Sequence, residues 1–242
     1  MAGVKQAFAF LTVLGRGETP SSRALPWFPV VGVVVGLLVG LSWWAAAQWF
    51  PPLVAGAIAV IVDLALTGLL HLDGVADSAD GLLPPLPRER RLEVMRDPHI
   101  GAFGVVGVVV VLLLRTAILG SISPGPVRAA LVIGAIWCTS RAAMAVIATT
   151  MPYARPGGLA TAFADGSTAR ALLVAVPLAV GLAWFGTDPG GRGLLAVAAC
   201  GVGAAVVATF ARSRIDGFTG DVLGAAGVIG ETLGLLLLAA HA

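Results

Sequence analysis

The run His71-Leu72-Asp73-Gly74-Val75-Ala76-Asp77-Ser78-Ala79-Asp80-Gly81 carries three carboxylates in close succession. On a helix, Asp73, Asp77 and Asp80 stand at i, i+4 and i+7 and share a stripe about 60° wide. Like charges on one stripe repel unless a cation neutralises them, and oxygen-only ligands suit Mg²⁺ or Mn²⁺. Mg²⁺ is usually shared between carboxylates and substrate phosphates, so the chemistry in view is that of a diphosphate. Gly74 and Gly81 leave room for a phosphate to approach the backbone. The plain alternative is a solvated helix end. Against it, the stripe has no Lys or Arg at i±4 and directly continues a long apolar run.

Other polar residues are candidates to complete such a site. Arg96, Asp97 and His99 crowd the start of a glycine-rich apolar segment, where Arg96 and Asp97 would bind phosphate or order the loop. The preceding Arg88-Glu89-Arg90-Arg91 reads as membrane anchoring or lipid contact. Arg155, next to Pro156-Gly157-Gly158, is placed to clamp a phosphate or simply to anchor a turn. In Thr219-Gly220-Asp221, Asp221 either caps a helix or faces the acidic stripe as a further ligand or general base. Asp63, Arg115, Arg141 and Glu231 lie inside apolar runs, where ionised groups are expensive and functional by default. Arg141 would reach the acidic cluster or a substrate phosphate. Pairing between helices, such as Asp63 with an arginine, accounts for these charges equally well.

The elements that must position these residues are set by composition. Of 242 residues, 58% are hydrophobic and 12% charged, against about 25% charged in a soluble domain. Mean hydropathy is +0.95. Spans of about 20 apolar residues are expected near 28–50, 52–72, 101–122, 127–150, 170–187, 193–211 and 222–240. Breakers separate them at Pro51-Pro52, Pro84-Pro85-Leu86-Pro87, Ser123-Pro124-Gly125-Pro126, Pro156-Gly157-Gly158 and Asp188-Pro189-Gly190-Gly191. The expected class is an all-α polytopic membrane protein of about seven transmembrane helices with short loops, one domain over 1–242. Val4 to Leu14 is too short to span and suits the interface or a re-entrant segment. Cys138 and Cys200 sit in apolar runs and read as packing. The net charge of +2 and the lack of a basic stripe with aromatics exclude a nucleic-acid partner.

Orientation follows the positive-inside bias. With the N-terminus in the cytoplasm, Lys5, Arg16, Arg23, Arg88, Arg90, Arg91, Arg96, Arg155, Arg170, Arg212 and Arg214 fall inside, while Arg128 and Arg192 fall outside. The same choice puts Asp73, Asp77, Asp80, Asp97, Asp165, Asp216 and Asp221 on the inner side, so the active site is expected at the cytoplasmic face.

These segments, taken together and in order, resemble the cobalamin synthase family of adenosylcobinamide-GDP ribazoletransferases. The resemblance rests on Thr67 to Gly81, on Met95-Arg96-Asp97 with Ile100-Gly101-Ala102-Phe103-Gly104, on Arg155-Pro156 with Gly158-Leu159-Ala160, and on Thr219 to Ala225; Phe10-Leu11-Thr12 and Trp27 to Gly32 also fit. The sequence departs from the family's pattern at Asp216-Gly217, at Pro98 and in the proline-rich stretch 84–87. The resemblance implies that adenosylcobinamide-GDP and α-ribazole, or its 5′-phosphate, are joined to adenosylcobalamin, or its 5′-phosphate, with release of GMP. It implies Mg²⁺ as cofactor, with Asp73, Asp77 and Asp80 holding it on the diphosphate and Asp221 as a further acidic member. It also implies the bacterial cytoplasmic (inner) membrane.

Phosphoryl transfer of this kind needs positioning and charge neutralisation more than covalent catalysis. A carboxylate not committed to metal would take the hydroxyl proton, and Asp80 and Asp221 are the candidates. Arg96, Asp97, Arg141 and Arg155 are the candidate substrate-binding residues. Expected partners are the corrinoid nucleotide, α-ribazole and the lipid bilayer; a homo-oligomer is left open. Two other readings stand beside this one. A CDP-alcohol phosphotransferase also uses an Asp-rich helix with Mg²⁺, though Asp77-Ser78-Ala79-Asp80 breaks its spacing. A transporter would spread polar residues near the midplane, whereas the acids here gather at one side.

Overall fold

The computed structural model describes residues 2–15, 19–122, 127–155, 162–163, 165–187 and 191–240. Arg16, Pro156 to Ala160, Ser123 to Pro126 and Asp188 to Gly190 lie outside the described residues. The chain is helical almost throughout: α1 (Ala2–Leu11), α2 (Phe28–Ala46), α3 (Pro52–Thr67), α4 (Leu70–Leu82), α5 (Arg88–Val94), α6 (Ala102–Ser121), α7 (Ala129–Thr150), α8 (Thr168–Gly186), α9 (Arg192–Ile215) and α10 (Gly220–Ala239). A 3₁₀ turn, Ser22–Trp27, leads into α2. Prolines mark starts as expected, Pro29 in the first turn of α2 and Pro52 opening α3, because a first-turn residue needs no intrahelical N–H partner. Among the described residues the only β-type pairing is an isolated bridge between Tyr153 and Phe218.

Among the described residues six helices, the Ser22–Ala46 segment and α6 to α10, are long and apolar enough to cross a membrane. Helices α3 and α4 pass the same test only as a pair, and a 92° bend separates them. The acidic helix therefore does not prolong α3 as the sequence suggests. Gly68 (φ 60°) ends α3 in the left-handed region, and Leu69 (φ 64°) follows it there, a conformation that costs an ordinary L-residue about 1–2 kcal/mol. Both amides fold back on Leu64 O. The 13-residue α4 is too short to cross by itself and packs against α6 and α10.

Helix α7 is the centre, with 78% of its apolar window buried against 28% for α6 and for α8, whose faces are left to lipid. Small residues let it pack closely. Gly32, Gly36 and Gly40 of α2 form a stripe against α7, and a Cβ on Gly32 would stand 2.3 Å from Trp137 O. We expect Gly32→Ala to lower stability by about 1–3 kcal/mol through overpacking, read as a drop in thermal unfolding temperature in detergent. An unchanged temperature would mean that α2 and α7 part without cost.

Charged residues of the α4–α6 connection fasten this end together, where the sequence suggests lipid anchoring. The buried Arg91 donates to Gly81 O (2.9 Å) and Leu82 O (2.7 Å), satisfying the open carbonyls at the end of α4. Arg88 pairs with Asp216 (3.0 Å) and donates to Ile215 O and Ala154 O (both 3.2 Å). The arginines at 88 and 91 thus close loops on one another.

Candidate active site

Helices α4 and α10 cross where neither carries bulk. A Cβ on Gly74 would lie 2.6 Å from Asp221 O, and one on Gly224 would lie 3.1 Å from His71 Cα. This close crossing sets the first turn of α10, with Asp221, beside the acidic face of α4. Thr219 is the N-cap of α10, its hydroxyl accepting from Val222 N–H, so Asp221 is released from the capping role that its position suggests. Both of its side-chain bonds fall on Oδ2: Arg155 Nη2 at 3.1 Å and Thr219 Oγ1 at 3.1 Å.

Arg155 is delivered by the short bridge at Tyr153. Ala154 N–H donates to Phe218 O and Phe218 N–H to Pro152 O, and the two aromatic rings meet edge to face. Gly217 is required here, since a Cβ would sit 2.2 Å from Pro152 O. The guanidinium also reaches Met95 O at 3.3 Å. A cavity of about 240 Å³ lies at this junction, lined by His71, Asp73, Tyr153, Arg155, Gly220 and Asp221 among others.

The three acids of α4 have different surroundings. Asp73 is exposed at the cavity and Asp77 is half-buried one turn on. Burial, then the carboxylates of Asp221 and Asp73, push Asp77 up to about 7. Asp80 is buried, and its two oxygens accept from Gly101 N–H (2.7 Å) and Gly104 N–H (2.9 Å). It therefore caps α6 from a neighbouring helix, and it does not line the cavity.

Arg96 and Asp97 are exposed and are not among the residues at the cavity wall. Asp97 accepts from His99 N–H (3.0 Å) and pairs with its ring (2.7 Å). The backbone bond and then the ring bond hold its carboxyl below the usual range, so its evident work is to order the loop. Arg141 is buried and pairs with Glu231, with Ser140 Oγ at 2.7 Å and His71 Nδ1 at 3.4 Å. It stands one side chain behind the cavity wall. The residues that sequence reasoning missed are His71 and Tyr153, both at the cavity. His71 lies in the quoted motif but off the acidic stripe, and Tyr153 had only its place before Arg155 to mark it.

An Mg²⁺ ion can be tested against this geometry. Among the described residues no three His, Cys, Asp or Glu side chains form a ready-made cage. Yet Asp77, raised first by burial, also feels the carboxylates of Asp221 and Asp73, with Arg155 as the nearby counter-charge. Such a set suits an ion bound by one or two carboxylates and completed by substrate phosphates. The residues fit.

The family model described as cobalamin-5-phosphate synthase matches residues 3–239. The chain belongs to this family. The adenosylcobinamide-GDP ribazoletransferase of Chlorobium phaeobacteroides is 36% identical over 96% of this chain and 95% of its own length. Its counterpart in Pseudomonas paraeruginosa is 38% identical over 90% and 86%, and that of Escherichia coli 33% identical over 90% and 87%. No solved structure matches the chain. Membership agrees with the resemblance read from the motifs; in the structure Asp73, Asp77 and Asp80 lie on α4, and Thr219-Gly220-Asp221 stands at the start of α10.

Proposed function

We propose that the protein joins adenosylcobinamide-GDP to α-ribazole, or its 5′-phosphate, forming adenosylcobalamin, or its 5′-phosphate, and GMP. The observation that carries this reading is the meeting of Asp73, Asp221 and Arg155 at one cavity, in a member of this family. The site lies at the cytoplasmic face of the bacterial inner membrane with the N-terminus inside. Supporting this, Lys5, Arg23, Arg88, Arg91, Arg155 and Arg212 share the site's side of the spans, opposite Arg128 and Arg192.

In the reaction a ribose hydroxyl attacks the cobinamide-side phosphorus, a new P–O bond forms, and the bond to GMP breaks. Asp73 and Asp77, with Asp221 beside them, would hold Mg²⁺, which would supply charge neutralisation on the diphosphate. Arg155 binds a phosphate oxygen, and its bond to Asp221 fixes both side chains. Asp221 takes the hydroxyl proton, because among the described residues its bonds fall on Oδ2 alone, whereas both Asp80 oxygens are engaged by the α6 amides. A cavity of about 240 Å³ admits the diphosphate and ribose end of the substrates; a corrin ring must stay outside it.

The test is condensation by purified protein in lipid, following GMP and corrinoid product. Product should fall to background with chelator, return with Mg²⁺, and be lost in Asp77→Asn. Product indifferent to chelator would remove the metal from this reading. No product from folded wild-type protein would overturn the reaction and direct the next assay to CDP-alcohol donors.

A further inference from the structure

His71 has no part in the mechanism above, yet its position is unusual. It stands in the first turn of α4, is 5% exposed and lines the cavity with Asp73, Arg155 and Asp221. Its Nδ1 lies 3.4 Å from Arg141 Nη2, a long contact with a definite sense. A guanidinium offers only N–H donors and keeps its proton in proteins. Nδ1 is therefore the acceptor, and the ring proton belongs on Nε2. That nitrogen is buried with no hydrogen-bond partner among the described residues. Native structures rarely leave a buried N–H unmatched, and a donor left so costs free energy that an incoming acceptor recovers.

What holds the tautomer is itself held. Arg141 is locked by Glu231 and Ser140, and Glu231 is in turn fixed by Arg115 at 2.6 Å. Two carboxylates, Asp63 and Glu231, face two guanidiniums in this cluster, so its charge is balanced. The ring thus stands at the cavity wall as an Nε2–H donor whose tautomer is set from behind by Arg141.

We infer that His71 is a catalytic residue of the same site, its Nε2–H donating to an oxygen of the diphosphate, with Arg141 as the positioning residue that fixes its tautomer. The inference rests on the diphosphate reading above. It assigns His71 to stabilising charge on the transferring phosphoryl group and denies it the role of proton acceptor, which stays with Asp221. The donor is preorganised, and loss of one such donor typically costs about 10²–10³-fold in kcat.

The two side-chain amides separate the roles. His71→Gln keeps an N–H donor near the Nε2 position, while His71→Asn keeps a polar group only near Nδ1. In the lipid-reconstituted full-length protein, Asn should lose about 10²-fold or more in kcat with KM moving little. Gln should retain activity within about 10-fold of wild type. Gln as inactive as Asn overturns the donor role. Equal kcat in all folded variants, with only a lowered unfolding temperature, makes His71 structural and overturns it too. Wild-type protein that makes no product sinks the reaction and this inference together, whereas an active wild type with the wrong Gln and Asn pattern sinks the inference alone. Should the variants fail to fold, ¹⁵N-histidine spectra of substrate-free wild type decide. The chain has three histidines, and a protonated Nδ1 at His71 would overturn the assignment.

Discussion

Asp221→Asn should cost about 10²–10³-fold in kcat, the scale of removing one preorganised charge from a water-poor site. It should also raise the Mg²⁺ concentration needed for half-maximal rate. Asparagine keeps the shape and one oxygen, so the Thr219 cap and the α4–α10 crossing at Gly74 survive. What disappears is the charge facing Asp73 and Asp77 and the ion pair with Arg155. Asp80→Ala should behave otherwise. It removes the acceptors for Gly101 and Gly104 N–H and should lower stability by about 1–2 kcal/mol, as loss of a cap does. Its activity should fall mainly with the folded fraction. The paired measurement is kcat against Mg²⁺ for both variants, beside thermal unfolding in the same detergent. If Asp80→Ala abolishes turnover in well-folded protein while Asp221→Asn stays near wild type, the two roles are exchanged.

The contrast between these two acids shows what a sequence can disclose. The stripe at i, i+4 and i+7 is readable and real, since all three acids lie on α4. It does not say which of them faces the cavity, because that depends on what packs against the stripe. Asp80 meets the glycines that begin α6, and its fate is written some twenty residues later in Gly101 and Gly104. The straight continuation from α3 fails for a local reason. Gly68 is a known stop signal, but Leu69 in the left-handed region is not one that leucine advertises.

The basic loop illustrates the same limit. Charge bias explains why Arg88 and Arg91 sit on one side of the spans. It is silent on the carbonyls they satisfy at the ends of α4 and α9. Hydropathy finds the spans reliably because each must meet lipid by itself. Their order of burial, with α7 innermost, depends on small-residue contacts between helices and needs the structure.

Glu231→Ala should be the most destabilising substitution, at about 3–5 kcal/mol, the cost of breaking a buried ion pair from one side. Apolar runs interrupted by Asp63, Arg115, Arg141 and Glu231 announce an exception, but the partners are 52 to 116 residues apart. In the structure Glu231 is the hub. One oxygen accepts from Arg115 (2.6 Å), and the other from Ser140 (2.6 Å) and Arg141. Asp63 holds the far side, accepting from Arg115 (2.9 Å) and Trp137 Nε1 (2.9 Å). Removing Glu231 leaves two guanidiniums against one carboxylate in the membrane interior, with no water to solvate the excess. Breaking the exposed Arg90–Glu93 pair, by contrast, should change stability by less than about 1 kcal/mol. Denaturant or thermal unfolding in detergent reads both. Arg141 loses its anchor in Glu231→Ala, so the surviving folded protein should also show the His71 defect in kcat. Near-wild-type stability for Glu231→Ala would mean that Asp63 alone balances both arginines, and the cluster would then lose its claim to hold the bundle together.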